Sequence, residues 1–327
     1  MTSKIENLGE FDRIETFLKP LAAKLPGAFC LHDDAAQLGF PANTEIVVTT
    51  DTLVSGIHFL GNEKPSSIAR KVLATNLSDL AAKGAKPFAY SLSLALPPSI
   101  DDIWFSSFVE GLSFMQNKYD LALLGGDSTK TPNDIVITAS LIGIVDKDVG
   151  MIQRGTAAKG DYIYVSGSIG DGAFGLSVAR GDLQDDYLLD RYQHPRPRLE
   201  YIDLLKQFAT ASMDISDGLL ADAEKMGKAS DVCLCLEKSK IPLSESVRKI
   251  VDRDSEAFET VVTGGDDYEL LFTVAAENVQ HLEASAKDNC LSITRIGIVV
   301  DKQESFQSLI DLDGKHITFE KLGFTHR

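Results

Sequence analysis

No stretch of this 327-residue chain approaches the roughly 18 consecutive apolar residues of a membrane-spanning helix, and its opening, "MTSKIENLGEF", holds no apolar signal core. A soluble, cytoplasmic protein with no membrane partner is expected. Basic residues are in deficit: 32 Lys plus Arg stand against 48 Asp plus Glu, a formal charge of −16. A surface that negative repels phosphate backbones, so nucleic acid is not an expected partner, and a polyanionic ligand would need cations to mediate its contact. Cysteine is scarce. Cys30, Cys233, Cys235 and Cys290 are the whole set, and no second Cys/His pair lies at zinc-ligand spacing from Cys233 and Cys235. Reduced structural thiols are the expectation. The absence of any G-x-x-x-x-G-K-S/T run excludes a P-loop.

What is present is ordinary globular composition, 44% hydrophobic and 24% charged, at a length that implies two domains. The polar stretch from Asp146 to Gly160 is the expected boundary, giving domains 1–148 and 149–327. In the first, Ile46 to Val48 opens a strand, and Ser66 to Gly84 is a helix with Ser66 as N-cap and Gly84 as its stop. "FAYSLSLALP" and "DIVITASLIGIV" read as strands, Asp101 to Lys118 as a helix, and "LALLGGD" as a strand running into a loop. In the second, "DYIYVSG", "VCLCLE" and "SITRIGIVV" are strands. "ASMDISDGLL" leads into a helix ending at Ala229, and "VVTGGDDYELLFTV" is a strand broken by a loop. Strict strand–helix alternation is lacking, so the fold class is α+β. Gly170 to Gly175 spells G-x-G-x-x-G, but the polar, Pro-bearing "GDLQDDYLLDRYQHPRPR" follows where a dinucleotide fold needs a strand. That leaves a phosphate contact at this helix N-terminus as the alternative.

The positions of the aspartates carry more. Asp34 lies in a turn, and Asp51 ends a strand beside Thr49, Thr50 and Thr52, with His58 seven residues on. Asp79 falls one helical turn after Thr75 and Asn76, Asp127 follows Gly125 and Gly126, and Asp214 and Asp217 bracket a helix start with Ser216 between them. Any one of these is an ordinary cap or turn residue. Together they offer hard oxygen ligands without His or Cys, which suits Mg²⁺ bound through a few carboxylates, waters and substrate phosphates. Pattern alone points to magnesium and phosphate chemistry and names no substrate.

Eight stretches in order resemble the thiamine-monophosphate kinase family, part of the superfamily that includes aminoimidazole ribonucleotide synthetase and selenophosphate synthetase. They are "GEFDRIETF", "HDDAAQL", "TTDTLVSGIHF", "ARKVLATNLSDLAAKGAKP", "LLGGDSTK", "QRGTAAKGDYIYVSGSIGDGAFGL", "MDISDGLLAD" and "GGDDYELLFTV", with a weaker tail match at "LGFTHR". The resemblance implies ATP-dependent phosphorylation of thiamine monophosphate to thiamine diphosphate by direct in-line transfer. It also implies a homodimer of subunits with two α/β domains, the N-terminal ones forming a central β structure and the nucleotide binding between domains.

Residue by residue, the resemblance makes Asp34, Thr49, Thr50, Asp51, Asp79, Asp127, Asp214 and Asp217 magnesium ligands, with Asp51, Asp127 and Asp214 as the catalytic carboxylates. It gives Gly126, Arg154 and Ser216 to ATP, and His58, Asp266 and Phe324 to thiamine monophosphate. Three positions depart from the family's usual residues: His32 for Gly, Asp266 for Glu, and Phe324 for Tyr or Trp. The competing readings are a sibling synthetase acting on a nucleotide-like substrate, a non-catalytic divalent-cation binder, and a dinucleotide oxidoreductase.

Overall fold

Along Thr44–Val54, Val47, Thr49, Asp51 and Leu53 turn inward while Ile46, Val48, Thr50 and Thr52 are exposed. Stiff, β-branched side chains favour this period of two because they stand well on a pleated surface. The structure is a computed structural model describing residues 8–302 and 305–324. It divides the chain into two units, Met1–Leu80 with Lys86–Gly150, and Ala81–Ala85 with Met151–Arg327.

The first unit begins with short helices α1 (Glu10–Arg13) and α2 (Lys19–Ala22), joined by a π-helical turn, and continues into β1 (Thr44–Val54). Then come α3 (Pro65–Ala82), β2 (Lys86–Leu96), α4 (Asp102–Tyr119), β3 (Leu123–Lys130) and β4 (Val136–Asp146). The sheet order is β1-β4-β2-β3, with only β2 and β3 parallel. Ile68, Val72, Leu73, Leu77 and Leu80 recur at helical spacing on α3 and are essentially inaccessible. The helix starts on Pro65 rather than being capped by Ser66. Proline's fixed φ suits a first turn, and the Lys64 carbonyl already accepts the amides of Ser67 and Ile68. Asp101 caps α4 by accepting the Trp104 amide at 2.8 Å.

The second unit holds β5 (Tyr162–Ser166), α5 (Asp171–Arg180), α6 (Asp186–Gln193), α7 (Ile202–Phe208), β6 (Ala209–Ile215), α8 (Leu219–Ser230) and β7 (Val232–Glu237). It continues with α9 (Glu245–Arg253), α10 (Phe258–Thr263), β8 (Glu269–Val274), α11 (Val279–Asp288), β9 (Ile293–Asp301), β10 (Gln307–Ile310) and β11 (His316–Ile317). Its sheet runs β11-β10-β7-β9-β5-β8-β6 and is antiparallel except between β7 and β10. β8, flanked by β5 and the edge strand β6, is buried throughout, Leu271 facing one apolar cluster and Leu270, Phe272 and Val274 the other. The architecture is α+β, as the mixed order of elements leads one to expect.

The strand end expected at Asp51 lies instead at Val54, since pairing with β4 carries β1 on, and three further local expectations fail. "ASMDI" is a strand, because Met213 and its neighbours pair with β8 along an edge that needs a partner. Val261 and Val262 are helical despite being β-branched, since α10 buries both completely. The third is "LLGGD", which stays in a strand through Asp127 because parallel pairing with β2 runs on to Lys130.

Leu77 is fully buried and Asp101 is an exposed cap, which separates two kinds of contribution. Leu77→Ala is expected to lower the stability of the first unit by about 2–5 kcal/mol, and Asp101→Ala by about 1 kcal/mol. The single tryptophan, Trp104, reports both in urea unfolding followed by fluorescence. Equal effects would contradict the burial assigned to Leu77.

Candidate active site

In the first unit the inward face of β1 meets α3. Thr49 Oγ1 donates to Asp79 Oδ2, and the Thr75 hydroxyl bonds to Asp51. Burial is the main reason the Asp51 carboxyl is pushed up to about 6; the negative charge of Asp79 adds to the rise, and the Thr75 hydrogen bond opposes it. Two half-buried carboxylates and a hydroxyl thus converge. Thr50 lies on the other face, where its Oγ1 donates to Ser140 Oγ at 2.8 Å. The next row of the register runs Thr52, Thr138, Ser93 and Asp127, so Asp127 shares that exposed face with Thr50 and not the face of Asp51.

Gly126 has a packing reason of its own, since a Cβ there would lie 1.7 Å from the Leu92 carbonyl oxygen. His58 accepts the Val54 amide on Nδ1 at 3.0 Å, which leaves Nε2 carrying the proton of the neutral ring. Glu63 steadies the same loop by accepting the amides of Leu60 and Gly61, each at 2.7 Å. Asp34 is exposed in a bend after Phe29, Cys30 and Leu31, all three in the left-handed region. His32, just before it, contacts the Glu15 carboxylate at 3.4 Å.

In the second unit Asp214 is the penultimate residue of β6, and Ser216 and Asp217 form the turn into α8. Asp222 Oδ2 accepts the amides of both turn residues at 3.0 Å, while the Lys225 ammonium pairs with Asp222 and Asp217. The amides of Asp266 and Tyr268 donate to the carbonyls of Ser216 and Ile215 at 2.9 and 2.8 Å, and the Phe324 amide donates to that of Asp217 at 3.0 Å. Ser216, Asp217, Asp266 and Phe324 are therefore assembled by backbone contacts. Thr325 to Arg327 of the tail motif lie outside the described residues. Arg154 is exposed; its carbonyl accepts from Ser230, and the preceding Gln153 carbonyl accepts the Ser212 amide of β6.

The G-D-G-A-F-G stretch is occupied from within. Gly170 and Gly172 donate their amides to fully buried Asp267 at 2.8 and 3.0 Å. Burial is the main influence on Asp267 and pushes its carboxyl up to about 8 against those two amides. β5 is also antiparallel to both of its neighbours, so neither the dinucleotide context nor a free phosphate site exists at this helix end. Asp222, Lys225, Asp267 and Arg191 went unnoticed in the sequence. Only Asp222 carried a signal, as an acid in the first turn of α8 that reaches back to the loop amides.

Among the described residues, no three His, Cys, Asp or Glu side chains stand close enough to hold a metal ion by themselves. The Asp51, Asp79 and Thr49 oxygens nevertheless fit magnesium, which takes one or two carboxylates and completes its shell with water and substrate phosphate.

Residues 32–145 match the family described as AIR synthase related protein, N-terminal domain, and residues 158–308 match AIR synthase related protein, C-terminal domain. The chain is 38% identical to the thiamine-monophosphate kinase of Haemophilus influenzae over 327 residues, 98% of each chain. The crystal structure of the thiamine-monophosphate kinase from Stenotrophomonas maltophilia superposes with a TM-score of 0.81 at 36% identity, covering 95% of this chain and 99% of that one. A structure described as AaThiL complexed with AMPPCP and TMP gives 0.75 at 29% identity, covering 99% and 100%.

The Asp51 carboxyl makes a pH prediction for metal-free protein. Its raised value means that stability is greatest while the group is protonated, below its unfolded value near 4, and is lost as pH rises toward and through about 6. Asp51→Asn is expected to be more stable than the parent at pH 8 by on the order of 2–3 kcal/mol, with the difference vanishing at pH 4. Thermal scans in chelator decide it; a difference independent of pH would remove the burial and charge explanation.

Proposed function

The chain belongs to the thiamine-monophosphate kinase family, built of the two AIR synthase related domains, and from that premise we propose which of its residues do the family's work. It transfers the γ-phosphoryl group of ATP to the phosphate of thiamine monophosphate, giving thiamine diphosphate and ADP. The observation that carries this is identity of 35–38% to curated kinases along 97–98% of this chain. A relative that holds AMPPCP and TMP supports the pairing of donor and acceptor.

Both reactants are anions. Magnesium, when bound, supplies charge neutralisation between the phosphates. Asp51 and Asp79, with Thr49, are the residues that would hold it in the first unit. Asp34, Asp214 and Asp217 are assigned the same role, the last in exchange with Lys225. Thr50 and Asp127 face the other side of the sheet, so a metal role for their side chains needs an ion of its own there. Asp51, Asp127 and Asp214 are the carboxylates assigned to catalysis. Arg154 presents a fork of donors to phosphate oxygens, and Ser216 and Gly126 contact ATP. His58 Nε2 donates to the acceptor phosphate, Asp266 binds the thiamine moiety, and Phe324 stacks on it. The acceptor phosphate is already ionised near neutral pH, so no general base is required and transfer is direct, without a phosphoenzyme.

Residues 1–148 carry the magnesium and ATP contacts and the dimer interface in this reading, and residues 149–327 complete the nucleotide and substrate contacts. Homodimerisation is supported by the edge position of β1, which among the described residues pairs with β4 alone, and by Ile46 and Val48, 49% and 62% exposed on its open face. Among the described residues no helix is long and apolar enough to cross a membrane, and we place the enzyme in the cytoplasm.

The test mixes purified protein with ATP, Mg²⁺ and thiamine monophosphate and separates the products as fluorescent thiochromes. Equimolar thiamine diphosphate and ADP are expected, with Asp51→Asn lowering kcat by at least about 100-fold. Folded protein that makes no diphosphate would sink the reading in favour of a sibling synthetase. Phe324→Ala is expected to raise KM for thiamine monophosphate about 10-fold with kcat little changed; an unchanged KM would take Phe324 out of the substrate contacts.

A further inference from the structure

Asp266 and Tyr268 are non-glycine residues with φ of +71° and +51°, and they flank a third residue, Asp267, that points the other way. Each left-handed residue costs about 1–2 kcal/mol in isolation, so the surroundings must hold the segment in place. They do so from several directions. Asp267 reaches inward to the amides of Gly170 and Gly172, and its carbonyl accepts from Arg191 Nη2 at 3.2 Å. Arg191, 2% exposed, also donates to Glu269 Oε1 at 2.9 Å and lies 3.6 Å from Asp171. Arg198 Nε and Ser166 Oγ then fix Glu269 Oε2 at 2.7 and 2.5 Å. On the other side, the amides of Asp266 and Tyr268 are tied to the Ser216 and Ile215 carbonyls. No Cβ is tolerated at Gly265, where it would lie 2.4 Å from the Ser216 oxygen.

The outcome at the surface is specific. Tyr268 is 8% exposed, and its hydroxyl stands 3.1 Å from Asp266 Oδ1. We infer that Tyr268 is a positioning residue that aims the Asp266 carboxylate at thiamine monophosphate, and that buried Arg191 and Asp267 hold the backbone turn that makes this possible. The inference rests on the assignment of Asp266 to the substrate. A network serving stability alone has no need of a phenol hydroxyl directed at a carboxylate on the outward side of the turn. A carboxylate oriented before the ligand arrives does not have to be ordered on binding, so the benefit belongs in affinity for the substrate it meets.

The experiment measures kcat, KM for thiamine monophosphate and KM for ATP in the full chain, with thermal midpoints, for the parent, Tyr268→Phe, Asp266→Asn and the double variant. Tyr268→Phe is expected to raise KM for thiamine monophosphate about 3–10-fold, with KM for ATP and kcat within about 2-fold. The double variant is expected to be no worse than Asp266→Asn alone, because Tyr268 acts through Asp266. Arg191→Met, where it folds, should raise the same KM, and Arg191→Lys should not rescue it, since one ammonium cannot span the Asp267 carbonyl, Glu269 and Asp171.

An unchanged KM for thiamine monophosphate in Tyr268→Phe would overturn the inference, as would effects of Tyr268→Phe and Asp266→Asn that multiply. Either result in an otherwise active kinase leaves the functional reading intact. Parent protein that makes no thiamine diphosphate overturns that reading, and this inference with it.

Discussion

A carboxylate that accepts two backbone amides from one short loop is the interaction on which the candidate site depends. It recurs around the candidate site: Glu63 takes Leu60 and Gly61, Asp222 takes Ser216 and Asp217, and Asp267 takes Gly170 and Gly172. A loop has amides that no ladder satisfies, and an amide buried without a partner is more damaging than a made bond is helpful. Each bond to a charged acceptor contributes about 1.5–3 kcal/mol. One acid therefore fixes two amides and, with them, the direction of the neighbouring side chains. The residues so fixed include Ser216, Asp217 and, through the other side of its turn, Asp266.

The same interaction divides the chain's many acids into two populations. Asp222 and Asp267 are buried, and their charge is spread over amides and over Lys225 or Arg191. Asp51 and Asp79 are placed differently: a half-buried like-charged pair lies between a strand and a helix, and the rise in the Asp51 carboxyl records the conflict. Burial raises the carboxyls of Asp51, Asp222 and Asp267 alike; amides with Lys225 or Arg191 oppose the rise at the two scaffolding acids, and a substrate cation complex would oppose it at Asp51. This is the physical sense in which an excess of negative charge serves a site for anionic reactants. In the proposed reaction the Asp51 and Asp79 carboxylates serve the cations that accompany the phosphates.

How much was legible in the sequence follows the range of the interactions. The period of Ile68, Val72, Leu73, Leu77 and Leu80 announced α3, because that signal is local, whereas the strand end expected at Asp51 falls at Val54, because pairing with β4 carries β1 on. The helical state of Val261 and Val262 was not legible, nor was the strand at Ala209–Ile215, because burial against distant residues decided both. Thr49 and Thr50 looked equivalent in the sequence. Only the alternation of β1, read with its register on β4, assigns them to opposite faces.

Asp267 shows why a motif is not yet a site. Glycines at 170, 172 and 175 after a strand form a fingerprint for anions at a helix N-terminus, and the local backbone does present amides there. The acceptor already in place there is a side chain, the Asp267 carboxyl, supplied from 95 residues further along the chain. The helix end has been committed to holding the 264–268 loop against α5. A phosphate could enter only by displacing a carboxylate whose carbonyl is itself held by Arg191. The glycines make room for the acid that anchors the turn carrying Asp266, the residue proposed to meet the substrate. The chemistry of anion recognition is retained, and it is used inside the fold.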